Sequence, residues 1–360
     1  MQKPLRIGII GCGGIANQKH LPSLARFADK AVMVAFCDLV EERAQKAAAK
    51  YGTEDATVYA DYHDLLADRT LDAVHVCTPN RTHSEIAIAA LEAGKNVMCE
   101  KPMAKTAADA RLMVAAEERT GKKLCIGYQN RYRPDSLLLK KAVERGDLGE
   151  IYYAKAHAVR RRAVPTWGVF LNAYEQGGGP LIDIGTHALD LTLWMMDNYE
   201  PKSVMGTTFR KLAEQTKTGN AWGDWDPKEF TVEDSAFGYI TMKNGALILL
   251  ESSWALNTLD VKEARTTLCG TRGGADMEDG LRINKADLGM LTTVIPSAGR
   301  GVDFYDADTF TPAEREASMW IDALLNDTDV MVKPRQALVV TEILEAIYES
   351  AKTGKPVVFD

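Results

Sequence analysis

No apolar run in this 360-residue sequence approaches the ~18–20 residues needed to span a bilayer. Low-complexity tracts and internal repeats are also missing, which excludes fibrous and solenoid architectures. There is no C-x-x-C pair among the six cysteines, Cys12, Cys37, Cys77, Cys99, Cys125 and Cys269. Five of them lie in or beside apolar runs. They read as small buried hydrophobes of a reducing compartment rather than as disulfides, which points to the cytoplasm. No cluster has metal-ligand spacing, so no metal is expected. Positive charge is in deficit: the net charge of −7 gives no pull toward nucleic acid or anionic membrane, and Arg160-Arg161-Arg162 is too short to reverse it. Lys3 and Arg6 precede an apolar stretch, 7–16, that imitates a signal-peptide core. Four glycines interrupt it, and Lys19 and His20 stand where a small-residue cleavage site belongs. It reads as a strand and turn.

What is present is a length that favours two domains. The first third alternates short apolar runs with helical patterns. Strands are expected at 6–11, 32–38, 73–77, 96–99 and 124–127, with helices at 14–28, 41–51, 82–93 and 106–120. That rhythm predicts βαβ crossovers and a doubly wound parallel sheet over residues 1–127. Residues 128–360 read as an α+β domain with a large, mostly antiparallel sheet, from runs at 151–159, 203–209, 235–242, 246–254 and 266–269. Asn244-Gly245 signals a type I′ hairpin. Helices are expected over 180–196 and 335–353, the second with Val340, Ile343, Leu344 and Ile347 on one stripe and free to pack back toward the first domain. Segments 220–230 and 290–308 look loop-rich. An open sheet face predicts self-association, as a dimer or tetramer.

The stretch Gly11-Cys12-Gly13-Gly14-Ile15-Ala16 fits the dinucleotide fingerprint in its required place between strand and helix. Gly11 makes the tight turn. Gly13, with Gly14 and Ile15 after it, lets backbone N–H groups approach a pyrophosphate, and Ala16 keeps helix and strand close. Asp38 ends the second strand, where a carboxylate accepts from the adenosine ribose hydroxyls and repels a 2′-phosphate. NAD is therefore expected over NADP. Arg43, one turn later, is read as a solvated helix residue.

Three further motifs accompany the fingerprint. They are Cys77-Thr78-Pro79-Asn80-Arg81-Thr82-His83, then Cys99-Glu100-Lys101-Pro102, and then Gly177-Gly178-Gly179-Pro180 followed by Asp183 and His187. Together, from Ile7 to Pro356, they resemble the Gfo/Idh/MocA oxidoreductase family, which includes inositol dehydrogenases and many sugar dehydrogenases. The resemblance implies a nicotinamide dinucleotide and a substrate site on the second domain's open sheet. It assigns Lys101 to the substrate hydroxyl and nicotinamide ribose, and Asp183 and His187 to the facing wall. Thr78, Asn80, His83 and Glu100 would line the cofactor channel, with Gln129 and Asn130 bordering cofactor and substrate. Pro102 would follow a cis peptide.

The chemistry suits these residue types. Oxidising a secondary alcohol needs a proton acceptor near working pH, and an imidazole, ordinarily near pKa 6.5, is one; His187 supplies it. Asp183, four residues earlier, shares its helix face and can orient the ring or hold a second hydroxyl. Lys101 would stabilise the developing alkoxide or relay the proton. The three glycines would let backbone approach substrate. Arg162 and Trp167, in the loop before them, suit hydroxyl binding and sugar stacking, or equally a solvated loop in which Trp167 is a packing anchor. His20, His63 and His75 read as structural. Trp222, Trp225 and Phe230 are read either as a cap on the pocket or as packing between subunits. The expected function is hydride transfer between nicotinamide C4 and a secondary hydroxyl of a sugar, a glycoside (at C3, giving a 3-keto sugar) or a cyclic polyol. Two alternatives stay open: a redox-neutral enzyme with retained NAD that cleaves or exchanges glycosides, and a non-catalytic NAD-sensing regulator.

Overall fold

The computed structural model describes residues 3–360 except 216, 218, 278 and 297–309. The chain forms two compact units, Met1–Tyr132 with Phe310–Leu338, and Arg133–Thr309 with Val339–Asp360.

In the first unit six parallel strands lie in the order β3-β2-β1-β4-β5-β6: β1 Leu5–Ile10, β2 Ala31–Cys37, β3 Gly52–Tyr59, β4 Ala73–Val76, β5 Asn96–Cys99 and β6 Leu124–Ile126. The central strands are buried on both faces, as parallel strands between helices must be, so they read as continuous apolar runs. β3 is the exception. It is an edge strand with the half-exposed sequence GTEDATVY, which explains why hydrophobicity gave no sign of it. Strand order reverses between β1 and β4, and ligands of such sheets bind at that switch, beyond the carboxyl ends. Backbone bonds continue past those ends: Gly11 N donates to Cys37 O at 2.8 Å, Cys77 N to Ile10 O at 2.8 Å, Glu100 N to Val76 O at 3.0 Å and Gly127 N to Cys99 O at 2.8 Å. All three first-unit motifs therefore gather at one sheet edge.

The helix expected over 14–28 is a π-helical turn, Ala16–His20, running into a short α-helix, Leu21–Ala25. The helix Pro312–Leu325 belongs to the same unit. A capping box of Thr311 and Glu314 starts it, and Ala317 and Ile321 join the buried cluster of Leu21, Leu24 and Phe27. The segment Phe310–Leu338 thus groups with the first unit, which differs from a division at residue 127. Sequence periodicity does not disclose which body an amphipathic helix will cover.

The second unit holds a nine-stranded sheet, β14-β13-β12-β11-β7-β10-β9-β8-β15, of β7 Ile151–Val159, β8 Pro201–Phe209, β9 Ser235–Met242, β10 Leu247–Ser253, β11 Lys262–Gly270, β12 Gly273–Asp276, β13 Arg282–Asp287, β14 Met290–Val294 and β15 Val357–Val358. Among the described residues only β7 and β10 pair in parallel in this sheet; the other pairings are antiparallel. β14 corrects the loop expected over 290–308, of which 297–308 lie outside the described residues; the exposed pattern of β14 hid it. The hairpin at Asn244-Gly245 is present, but Gly245 alone is left-handed (φ 87°). Gly245 N donates to Met242 O and Met242 N to Ala246 O. The loop is therefore a three-residue one rather than type I′.

One face of this sheet is packed by the apolar helix Thr186–Met196 against the buried alanines 154, 156 and 158. The last helix, Pro334–Thr353, crosses β8 and β9 where Gly206 pairs with Gly238. A Cβ at either glycine would meet the Ile347 side chain at 2.7 Å, so two missing side chains make the groove for this helix.

Candidate active-site residues and their surroundings

The fingerprint turn is built for a close-approaching anion. Gly11 has φ +90° and a Cβ there would meet Cys77 backbone at 2.8 Å, so glycine is obligatory. A Cβ on Gly13 would meet nothing within 4 Å; the glycine faces open space, where a pyrophosphate fits. Asn17 holds the turn by donating from Nδ2 to Cys12 O at 2.8 Å and to Gly13 O at 2.9 Å. Asp38 Oδ2 accepts Cys12 N–H at 2.8 Å and Oδ1 accepts Val40 N–H at 2.8 Å. The Asp38 carboxylate is thereby tied to the fingerprint turn, with lone pairs left on each oxygen. Arg43 stands 3.9 Å from Asp38 and is mostly exposed. Ile15 is exposed and Ala16 fully buried. These residues fit NAD.

Thr78 and Asn80 are half-buried, and Thr82 Oγ1 donates to Thr78 Oγ1 at 2.8 Å. His83 and Glu100, expected along the cofactor channel, are both buried. His83 is buried, with Nδ1 2.8 Å from Pro102 O and Nε2 2.8 Å from Thr78 O. It fastens the Thr78 loop to the Lys101-Pro102 segment. Burial lowers its pKa, against the raising effect of those two carbonyls. Glu100 is also buried; its Oε1 accepts from Lys19 at 2.7 Å and from His20 at 2.8 Å, while Oε2 accepts the Lys101 backbone N–H at 3.2 Å. Burial opposes its ionisation, but the Lys19 charge and the His20 bond hold its carboxyl well below the usual range. Short side chains would leave those backbone and cationic groups unpaired, which is the physical reason for an inward carboxylate here. The Lys101-Pro102 peptide is cis, as the motif implies. Lys101, Gln129 and Asn130 are half-buried, the latter two in the 3₁₀ turn Gln129–Tyr132.

In the second unit Asp183 lies in a π-helical turn, Leu181–Gly185, that continues into the helix carrying His187. π-turns of this kind are frequent at functional sites. Both residues are half-buried. Trp254, fully buried, donates from Nε1 to Asp183 Oδ2 at 2.9 Å, fixing the carboxylate. Glu233 organises the start of this segment: Oε2 accepts Gly179 N–H at 2.8 Å, and Oε1 accepts Leu181 N–H at 3.1 Å and the Tyr348 hydroxyl at 2.8 Å. Burial raises its pKa, with the bonds from Gly179 and Tyr348 working the other way.

The glycine run is closely packed by its neighbours. Gly177 is left-handed at φ +84°, ending the helix Ala173–Gln176. A Cβ on Gly178 would lie 2.0 Å from the Tyr348 hydroxyl, and one on Gly179 would lie 2.2 Å from Glu233 O.

The loop that carries Arg162 and Trp167 is laced to the segment 220–231. Asn220 bonds both backbone groups of Val164, at 2.8 and 2.9 Å, and Thr231 N donates to Leu171 O at 2.9 Å. Trp167, 52% exposed, meets Trp222 edge-on at 4.9 Å and Phe170 at 5.8 Å; Phe170 in turn meets Trp254 at 6.4 Å. Arg160 lies over Trp222 at 5.4 Å and pairs with Glu263. An aromatic wall therefore runs from the surface to the tryptophan that holds Asp183. Trp225 and Phe230 are buried behind it. Arg162 bonds Asn257 Oδ1 at 2.6 Å and the Arg161 carbonyl at 2.7 Å. Asn17, Glu233 and Trp254 were not singled out from sequence: each acts through a partner distant in the chain, or through backbone groups, and leaves no spacing signal.

Comparisons with known proteins agree with this layout. Residues 5–128 match the oxidoreductase family with NAD-binding Rossmann fold, and residues 140–359 match that family's C-terminal alpha/beta domain. The chain is 37% identical over 351 residues to D-glucoside 3-dehydrogenase of Escherichia coli K12, covering 98% of this chain and 96% of that protein. It is 30% identical over 249 residues to myo-inositol 2-dehydrogenase of Thermotoga maritima, covering 69% and 68%. The solved structure of an oxidoreductase domain protein from Kribbella flavida superposes with a TM-score of 0.86 at 26% identity, over all of both chains. Matched from residue 5 to residue 359 apart from a short interdomain stretch, the chain belongs to the Gfo/Idh/MocA family of NAD-binding oxidoreductases.

Proposed function

We propose that the protein oxidises a secondary hydroxyl of a glycoside, at C3 to the 3-keto sugar, with NAD as hydride acceptor. The observation that carries this reading is the aromatic wall of Trp167, Trp222 and Phe170 leading to a Trp254-anchored Asp183, in a chain so similar to a D-glucoside 3-dehydrogenase along its whole length. Flat aromatic faces suit the apolar C–H face of a pyranose, and a fixed carboxylate suits its hydroxyls.

Bound NAD supplies the carbon that takes the hydride. His187 removes the hydroxyl proton, and Asp183, held by Trp254, accepts from a neighbouring hydroxyl and sets the sugar's orientation. Lys101 donates to the oxygen as negative charge develops there. Thr78, Asn80 and Gln129 would hold the cofactor; Asn130, Arg162 and Trp167 serve the sugar. We propose a cytoplasmic enzyme that self-associates through the open sheet face, where Met205, Tyr239 and Phe209 are exposed; a monomer by light scattering would refute that part.

The test is a panel of glycosides, aldoses and inositols with NAD, followed at the reduced-nicotinamide absorbance. Steady NADH formation with glycosides and a 3-keto product are expected. Substrate conversion with the dinucleotide retained and no free NADH would overturn the dehydrogenase reading in favour of a redox-neutral one.

A further inference from the structure

Beside the fingerprint helix, the first unit buries an ionic cluster that the reaction does not use directly. Lys19 Nζ lies 2.7 Å from Glu100 Oε1 and 2.7 Å from Glu316 Oε2. His20 Nε2 is 2.8 Å from Glu100 Oε1, and its Nδ1 is 2.9 Å from His75 Nδ1. All five residues are at most 5% exposed. The ionised Glu100 only accepts, so His20 Nε2 carries a hydrogen, and one of the two facing Nδ1 atoms carries the other. The chain of bonds then stops. His75 Nε2 and Glu316 Oε1 are buried and without a hydrogen-bond partner among the described residues. Both residues line one small cavity, with Lys19, His20 and Ser23, that leaves about 10 Å³ for the centre of a water-sized sphere. That is close to the room one water needs, and a water wants two to four polar partners.

We propose that this cavity binds a single water molecule, which joins His75 Nε2 to Glu316 Oε1 and closes a ring, Lys19–Glu100–His20–His75–water–Glu316–Lys19. Water fits whichever Nδ1 holds the shared proton. It donates to both atoms if His75 Nε2 is a lone pair, and accepts from His75 while donating to Glu316 if it is N–H. Burial keeps His75 neutral. A metal cation has no such fit, since Lys19 already supplies positive charge and the oxygen ligands are too few. The ring fixes the Glu100 carboxylate whose Oε2 accepts the Lys101 N–H. Glu316, far beyond Lys101 in the chain, and His75 are thus positioning residues for it. That last step rests on the proposed function; the water does not.

A crystal structure of the NAD-bound protein at about 1.5 Å should show one peak at hydrogen-bond distance from both atoms. No peak, or His75 and Glu316 in direct contact, overturns the site, and an anomalous signal there after a rubidium soak overturns water in favour of a cation. The Glu316→Gln variant should fold and bind NAD within about twofold of wild type while losing about tenfold in kcat. Unchanged kcat in a variant shown crystallographically to lack the water overturns the positioning role. If no substrate is turned over by wild type, the proposed function fails while the crystallographic result still judges the ring.

Discussion

At the scale of single residues, two carboxylates do the most identifiable work. Asp38 is fixed by two backbone N–H groups and is proposed to hold the adenosine ribose with its remaining lone pairs. Asp38→Ala should raise the Kd for NAD about 10–100-fold, the worth of charge-assisted hydrogen bonds, while affecting NADP far less; fluorescence titration with both dinucleotides checks this. Glu233 accepts three donors at the entrance to the Asp183 segment. Glu233→Gln turns one acceptor into an NH₂ facing a donor and should cost about 1–3 kcal/mol of stability by urea unfolding. Because Lys101 and His187 are proposed to serve one step, Lys101→Ala and His187→Ala should each lower kcat by about 100-fold or more, and the double variant little further. Multiplying effects in the cycle would separate the two roles.

At the scale of elements, the glycine run shows how one helix start is fitted to its surroundings. Gly179→Ala would push a Cβ onto backbone, Glu233 O, at 2.2 Å, where no side-chain rotation relieves it. The expected loss is about 2–3 kcal/mol, seen as a lowered thermal midpoint and weaker turnover together. Gly13→Ala meets no protein atom; it should leave stability unchanged and weaken NAD binding. The opposite signatures of two glycine substitutions separate packing from ligand approach. A sequence motif alone treats both runs alike; the packing of Tyr348 and Glu233 against the second run is a tertiary fact.

At the scale of the whole molecule, two buried histidines set the pH response. Both His75 and His83 have pKa values lowered by burial first. In the unfolded chain each takes a proton near pH 6.5, whereas the folded protein does not, so the unfolded state binds more protons below that point. Stability is complete above about pH 7 and falls as pH drops through about 6.5, by up to about 1.4 kcal/mol per pH unit for each histidine. Urea midpoints at about pH 8, 6.5 and 5.5 should decline in that order; a flat profile would mean that neither ring is neutral in the fold. The six cysteines are all free, and five are buried. Burial raises the Cys12 and Cys125 thiols to about 12 and the Cys77 and Cys99 thiols well above their ordinary value. Ellman's reagent should therefore find at most one rapidly reacting thiol in the native protein, Cys269, and all of them after denaturation.

Residue pattern by itself determined the parallel sheet, the fingerprint turn and the existence of a second, mostly antiparallel sheet. These are local signals: buried parallel strands must be continuously apolar, and a tight turn against backbone must be glycine. The tertiary structure alone decided the edge strands β3 and β14, whose exposed residues carry no hydrophobic pattern. It also decided the grouping of Phe310–Leu338 with the first unit, the burial of His83 and Glu100, and the partners Glu233, Trp254 and Glu316. Such choices depend on which surfaces meet across long stretches of chain. A buried charge is stabilised only by what lies opposite it, and linear order does not say what that will be.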